Sequence, residues 1–154
     1  MRIGQGFDVH PWSDDPARPL VLGGVTFDGE RGLVGHSDAD VIAHACTDAL
    51  LGATGIGDIG SFFPDTDAAY AGADSVELLR LAACRVVEAG WQPVNLDCTV
   101  ICDRPKLAPH RDEMCALLGA AVGAPVMIKG KTTEGLVSLS EGIQCHAIAL
   151  VVAR

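Results

Sequence analysis

The chain has 154 residues, of which 49% are hydrophobic, only 5% are aromatic and 20% are charged, with a formal net charge of −9. That composition is too apolar for disorder, and the length suits a single domain, 1–154, with a mostly aliphatic core. The acidity excludes nucleic acid or an anionic membrane surface as the main partner, so an anionic ligand would need local positive charge such as a metal ion. None of the six cysteines forms Cys-x-x-Cys, and most lie in apolar runs. Buried reduced thiols in a reducing compartment are expected. The opening MRIGQGFDVH lacks the basic start and apolar run of a signal peptide, and no apolar run is long enough to span a bilayer. A cytoplasmic setting follows as the expectation.

Arg2 to His10 reads as a strand, with Ile3, Phe7 and Val9 on one face and Gly4, Gly6, Asp8 and His10 on the other. Asp8 and His10 therefore project together, with glycines leaving room beside them. Prolines and aspartates mark a loop from Pro11 to Pro19. Leu20 to Phe27 reads as one strand bent at Gly23-Gly24.

A helix is expected to start near a Ser37 cap and stop at Gly52. Val41, Ile42, Ala45, Cys46, Ala49 and Leu50 form its apolar face. Asp40, His44 and Asp48 line the other face in steps of four, with His36 one step earlier. The segment 55–73 has no period and carries Asp58, Asp65 and Asp67, which favours a functional loop over a connector.

Asp74 and Glu77 open a core helix to Ala89. Val94 to Cys102 is a β-branched strand, and Asp103-Arg104-Pro105-Lys106 is a basic turn. Pro109 suits the first turn of a helix to Ala121. Val126 to Lys129 is a short strand, and Lys129 to Gly135 a polar loop. Ile143 to Ala153 reads as a strand buried on both faces or packed on another subunit. Five strands and three helices predict an α/β (α+β) two-layer sandwich, a mixed sheet with helices on one face and partner subunits covering the other.

Asp8, His10 and His44 form a metal triad of the kind zinc takes with one open position, although the same ligands also hold non-haem iron. Asp40 and Asp48 are candidates to orient a ligand histidine. Lys129, Lys131, Thr132 and Thr133 offer donors suited to phosphate, and Glu134 suits a hard cation between phosphates. The P-loop and Gly-x-Ser-x-Gly patterns are absent.

GFDVH at 6–10, GHSDADVIAHACTDALLGA at 35–53, GDIGSFFPDTD at 57–67, RPK at 104–106 and KTTEG at 131–135 occur in order. Together they resemble the 2-C-methyl-D-erythritol 2,4-cyclodiphosphate synthase family of the non-mevalonate isoprenoid pathway. The resemblance implies a homotrimer with active sites between subunits. It also implies a phosphorus–oxygen lyase that cyclises 4-diphosphocytidyl-2-C-methyl-D-erythritol 2-phosphate and releases CMP.

The same resemblance makes Asp8, His10 and His44 zinc ligands and Glu134 a magnesium or manganese ligand. Asp8 and His10, with His36 and Ser37, fall in its substrate-binding set. Asp58, Ile59, Gly60, Phe63, Pro64, Asp65, Thr66 and Asp67 match the erythritol pocket. Cys102, Pro105, Lys106, Leu107, Ala108, Lys131, Thr132 and Thr133 match the cytidine-diphosphate side. His36 and Thr132 match positions assigned to transition-state stabilisation. Two departures stand out: Ala39 replaces the glycine usual in that segment, and the stretch after Glu134 lacks the arginine that lines the family's trimer channel. The competing readings are a non-haem iron enzyme and a non-catalytic anion-binding trimer.

Overall fold

The computed structural model describes residues 1–154. Its main sheet has the order β1-β6-β4-β5, where β1 is Arg2–Pro11, β4 Trp91–Ile101, β5 Val126–Lys131 and β6 Gly142–Ala153. β6 pairs antiparallel with β1 and β4, while β4 and β5 are parallel. The strands β1, β4 and β5 therefore point the same way, and their C-terminal ends share one end of the sheet.

Three long helices cover one face: α1 (Val41–Thr54), α3 (Ser75–Glu88) and α4 (Arg111–Val122). The expected two-layer sandwich with a mixed sheet is present. One-turn helices add α2 (Ile59–Phe62) and α5 (Val137–Ser140). The segment 55–73, expected as irregular loop, holds α2 and a 3₁₀ turn at Ala68–Tyr70.

The region expected as one bent strand is a hairpin of β2 (Leu20–Leu22) and β3 (Val25–Phe27). Gly23 and Gly24 have φ of 57° and 79°, the left-handed pair that a two-residue hairpin turn demands. Alternation alone did not separate a bend from a full reversal.

The α1 boundaries also differ from expectation. Asp40, not Ser37, is the N-cap, accepting from the Ile42 and Ala43 N–H groups, and the left-handed Gly55 ends the helix. Gly52 lies inside it. The Asp40 carboxylate additionally accepts from Gly23 N at 2.9 Å and Gly24 N at 2.7 Å, joining the hairpin turn to the helix start.

Close approach of α1 to β1 depends on Gly4 and Gly6. A Cβ at Gly4 would lie 2.0 Å from Ala49 O, and one at Gly6 would lie 1.9 Å from Ala45 O. Small residues on both elements let the helix rest on the strand backbone, so little of α1 reaches solvent. His44, Asp48 and Gly52 are the residues of α1 that are not buried.

The core lies between α1 and the sheet. Ile143, Cys145, Ala147, Ala149 and Val151 of β6 point into it, together with Cys46 and Cys98. The cysteines are all unbridged, as expected, but Cys84 is exposed and Cys115 half-buried. The other sheet face is open in the single chain and carries exposed Ile3, Phe7, Val9, Met127 and Ile148. The β6 strand is thus buried on one face only.

Candidate metal centre and flanking clefts

Strand alternation brings Asp8 and His10 to the α1 side at the C-terminal end of β1, and the close helix–strand packing brings His44 to them. Asp8 Oδ2 lies 3.0 Å from His10 Nε2 and 3.0 Å from His44 Nδ1, and the two ring nitrogens lie 3.2 Å apart. These three residues form a cluster with metal-ligand geometry.

The outer ring nitrogens fix the inner ones. His10 Nδ1 is 2.7 Å from Val34 O, a carbonyl that only accepts, so Nδ1 carries the proton and Nε2 presents a lone pair. His44 Nε2 lies 2.8 Å from Ser75 Oγ, whose own hydrogen goes to the Asp38 carboxylate. Ser75 therefore accepts, His44 Nε2 carries the proton, and Nδ1 also presents a lone pair. Ser37 Oγ adds a contact to the same nitrogen at 3.0 Å.

With both rings neutral, two nitrogen lone pairs and a carboxylate oxygen thus converge on one point, a donor set suited to a cation. Tetrahedral zinc with bonds of about 2.0–2.1 Å has donor–donor edges of about 3.3 Å, close to the separations found here. Burial alone would raise the Asp8 carboxyl, but when the ring nitrogens facing it carry protons instead, their hydrogen bonds outweigh it and hold the group well below the usual range. Burial pulls His10 down, and the Asp8 hydrogen bond and charge more than reverse this.

The expected orienting role of Asp40 and Asp48 is not what the structure shows. Asp40 is fully buried at the helix cap, and Asp48 accepts the Ile59 N–H at 2.8 Å, tethering α2 to α1. The residues that do orient His44 are Ser75, Ser37 and, through Ser75, Asp38. Ser75 begins α3, far from His44 in sequence, and no local pattern marks the contact. Its buried position behind the Asp74 cap appears only when α3 packs on α1.

A cleft of about 440 Å³ opens beside the cluster. His10 and His44 reach it, with His36, Ser37, Ile59, Gly60, Phe63 and Asp65 on its walls, all singled out in the sequence. Gly35, Tyr70 and Leu78 also line it and were not. Asp58 caps α2 through Ser61 N, and Asp67 caps the 3₁₀ turn through Ala69 N. Pro64 and Thr66 lie in the same loop and are not among the lining residues.

A second cleft, of about 180 Å³, lies where β4 and β5 end. Cys102, Pro105, Lys106, Leu107, Ala108, Lys131 and Thr132 line it, joined by Gly130 and Arg111. Thr133 is buried and anchored, its N–H and hydroxyl both donating to Asp103. Glu134 has φ of 53°, left-handed backbone unusual for a non-glycine residue, and accepts a hydrogen bond from Thr132 Oγ1. The two clefts sit at the same end of the sheet but at opposite edges, three strand spacings or about 14 Å apart.

Fold and site together define an α+β protein with a two-histidine, one-carboxylate cation centre at the C-terminal ends of its parallel strands. The YgbB family matches residues 1–152, and the chain belongs to that family. The 2-C-methyl-D-erythritol 2,4-cyclodiphosphate synthase of Aromatoleum aromaticum is 56% identical over 99% of this chain and 94% of its own length. The enzyme of that name from Chromobacterium violaceum is 56% identical over 98% of each.

Among solved structures, a 2C-methyl-D-erythritol-2,4-cyclodiphosphate synthase in a CDP-bound form superposes with a TM-score of 0.88. It is 38% identical and covers 98% of this chain and 100% of that one. The bifunctional IspDF from Campylobacter jejuni gives a TM-score of 0.91 at 37% identity, this chain spanning 42% of its length.

Proposed function

We propose that the chain is a 2-C-methyl-D-erythritol 2,4-cyclodiphosphate synthase acting in isoprenoid precursor biosynthesis, with 1–154 as one catalytic domain. Its substrate is 4-diphosphocytidyl-2-C-methyl-D-erythritol 2-phosphate. The observation that carries this reading is the convergence of Asp8, His10 and His44 beside the first cleft in a chain whose full-length relatives bear that name.

The reaction is an intramolecular phosphoryl transfer. An oxygen of the substrate's 2-phosphate forms a bond to the phosphorus carried on the erythritol 4-oxygen, and the bridging P–O bond to CMP breaks, its electron pair leaving with CMP. The nucleophile is already ionised near neutral pH, so no strong base is needed. The barrier is the approach of two anions, which positioning and charge neutralisation lower.

In this proposal Asp8, His10 and His44 would hold zinc, and Glu134 would hold magnesium or manganese. Such cations supply charge neutralisation at the phosphates. The chain's own groups do the rest. His36 and Ser37 hold the phosphate and erythritol portion, while the loop from Asp58 to Asp67 encloses the erythritol. Lys106, Lys131 and Thr132 donate to the diphosphate, with Thr132 and His36 meeting the developing charge. The Asp103–Thr133 clamp keeps Thr132 in place.

The separation of the two clefts supports a site completed between copies of the chain. One copy supplies its β1 edge and cation centre, its neighbour the β5 edge and nucleotide cleft. The exposed apolar side chains on the open sheet face support the same assembly, a homotrimer. No helix is long and apolar enough to cross a membrane, and a cytoplasmic location is part of the proposal.

Purified protein incubated with the diphosphocytidyl substrate, zinc and magnesium should release CMP and the cyclic diphosphate in equal amounts. Retention of intact substrate under those conditions would refute the assignment.

A further inference from the structure

Gly32 to Ser37 lies outside the helices and the six strands, so no ladder satisfies its carbonyls. Each of them nevertheless has a partner. Gly32 O accepts from Ser13 N, Val34 O meets His10 Nδ1, and His36 O accepts from Gly72 N. The other three all belong to Arg18. Its Nε donates to Leu33 O at 2.9 Å, and its Nη2 donates to Gly35 O at 2.9 Å and to Ser37 O at 2.6 Å. The segment thus curls around one guanidinium, whose planar fork fixes three acceptors at once. The backbone of Arg18 is equally close: a Cβ on Gly32 would lie 2.4 Å from Arg18 O.

We propose that Arg18 is a positioning residue for both the cation centre and the substrate side of the first cleft. This rests on the assignment of that site given above. Val34 O stands between two carbonyls that Arg18 holds, and it keeps the His10 proton on Nδ1 so that Nε2 faces Asp8. Ser37, whose carbonyl is the third, places its Oγ 3.0 Å from His44 Nε2. His36 also stands between two held carbonyls, and Gly35, His36 and Ser37 line the cleft. Arg18 lies in the loop between β1 and β2 and acts only through the backbone of 33–37. Without it three carbonyls turn to water, and the segment loses the curvature that presents Val34 O to one histidine and His36 to the cleft.

Arg18→Met removes all three bonds, whereas Arg18→Lys keeps the charge and the aliphatic stem but offers one nitrogen in place of a fork. Three measurements compare them with the parent: zinc affinity by dye competition, kcat and KM for CMP release at saturating zinc, and urea unfolding of the metal-free protein. The zinc Kd of Arg18→Met should rise about tenfold, the low end for groups that orient a ligand histidine, with Arg18→Lys between the two. At saturating zinc kcat should fall at least about tenfold and KM should change less, because a displaced His36 costs most where charge develops. A merely structural Arg18 would lower the urea midpoint and leave the zinc Kd and kcat of the folded variant at parental values, and that result overturns the inference. Should Arg18→Met fail to fold, parental zinc Kd and kcat in Arg18→Lys overturn it equally. If the parent releases no CMP, the assigned reaction falls, and the zinc affinities of the three proteins alone decide the role of Arg18.

Discussion

Ser75 Oγ lies 2.8 Å from His44 Nε2, and because the Ser75 hydroxyl donates to Asp38, the imidazole must donate to Ser75. This one relationship sets the tautomer of a ring whose other nitrogen faces Asp8. Partners of this kind commonly change metal affinity by about 10–100-fold when removed. Ser75→Ala should therefore weaken zinc binding within that range while leaving the circular dichroism spectrum unchanged. Competition against a zinc-sensitive chelating dye measures it. Parent-like affinity in the variant would mean that Ser37 alone holds the ring.

Gly6 sets the height of α1 over β1. In Gly6→Ala the added Cβ would start 1.9 Å from Ala45 O, so the helix must lift. Overpacking of this kind costs about 1–3 kcal/mol. His44 lies one position before Ala45, so zinc affinity should drop in parallel. Urea unfolding of the metal-free variant reads the first effect and dye competition the second. A variant of parental stability would show that the two layers slide apart without strain.

Asp40 ties the α1 start to the β2–β3 turn by accepting from Gly23, Gly24, Ile42 and Ala43. Asparagine cannot accept all four, and Asp40→Asn should lose about 1–3 kcal/mol. Burial raises the Asp40 carboxyl to about 6, opposed by the backbone bonds and reinforced by the Asp38 charge. A carboxyl whose folded pKa exceeds its unfolded one holds its proton more tightly when folded. Its contribution is full below about pH 4 and is lost as pH rises through the folded value. The stability gap between parent and variant should therefore widen between about pH 8 and about pH 5 in urea titrations. A gap that narrows on acidification would reverse the assigned sign.

Much of this was legible in the sequence because it depends on short-range pattern. Period-2 alternation places Asp8 and His10 on one side of β1, and the apolar steps of α1 mark a helix carrying His44. The cap at Asp40 was missed because Ser37 and Asp40 are both good capping residues. Only the tertiary demand of the Gly23 and Gly24 N–H groups separates them. Ser75 was missed for a related reason: its significance lies in partners met across packed elements.

Ala39 shows a mixed case. Its φ of 60° explains why the cyclodiphosphate synthase pattern usually has glycine there, yet its methyl is fully buried. The strain of left-handed backbone and the gain from burying a methyl are each about 1 kcal/mol, so the exchange is nearly neutral.

The open sheet face gives a prediction about assembly. A charge at Phe7, such as Phe7→Glu, should convert a trimer sedimenting at micromolar concentration to monomer. It should remove CMP release while leaving zinc bound, because the cation centre lies within one chain. A monomeric parent with full activity would remove the need for a shared site.

The most direct test compares zinc content and CMP release in the same purified samples of parent, His44→Ala and His36→Ala. Parent protein should hold about one zinc per chain. His44→Ala should lose both zinc and turnover with its secondary structure intact, while His36→Ala should keep zinc and lose turnover. A His44→Ala protein that retains zinc as tightly as the parent would contradict the cation centre formed by Asp8, His10 and His44.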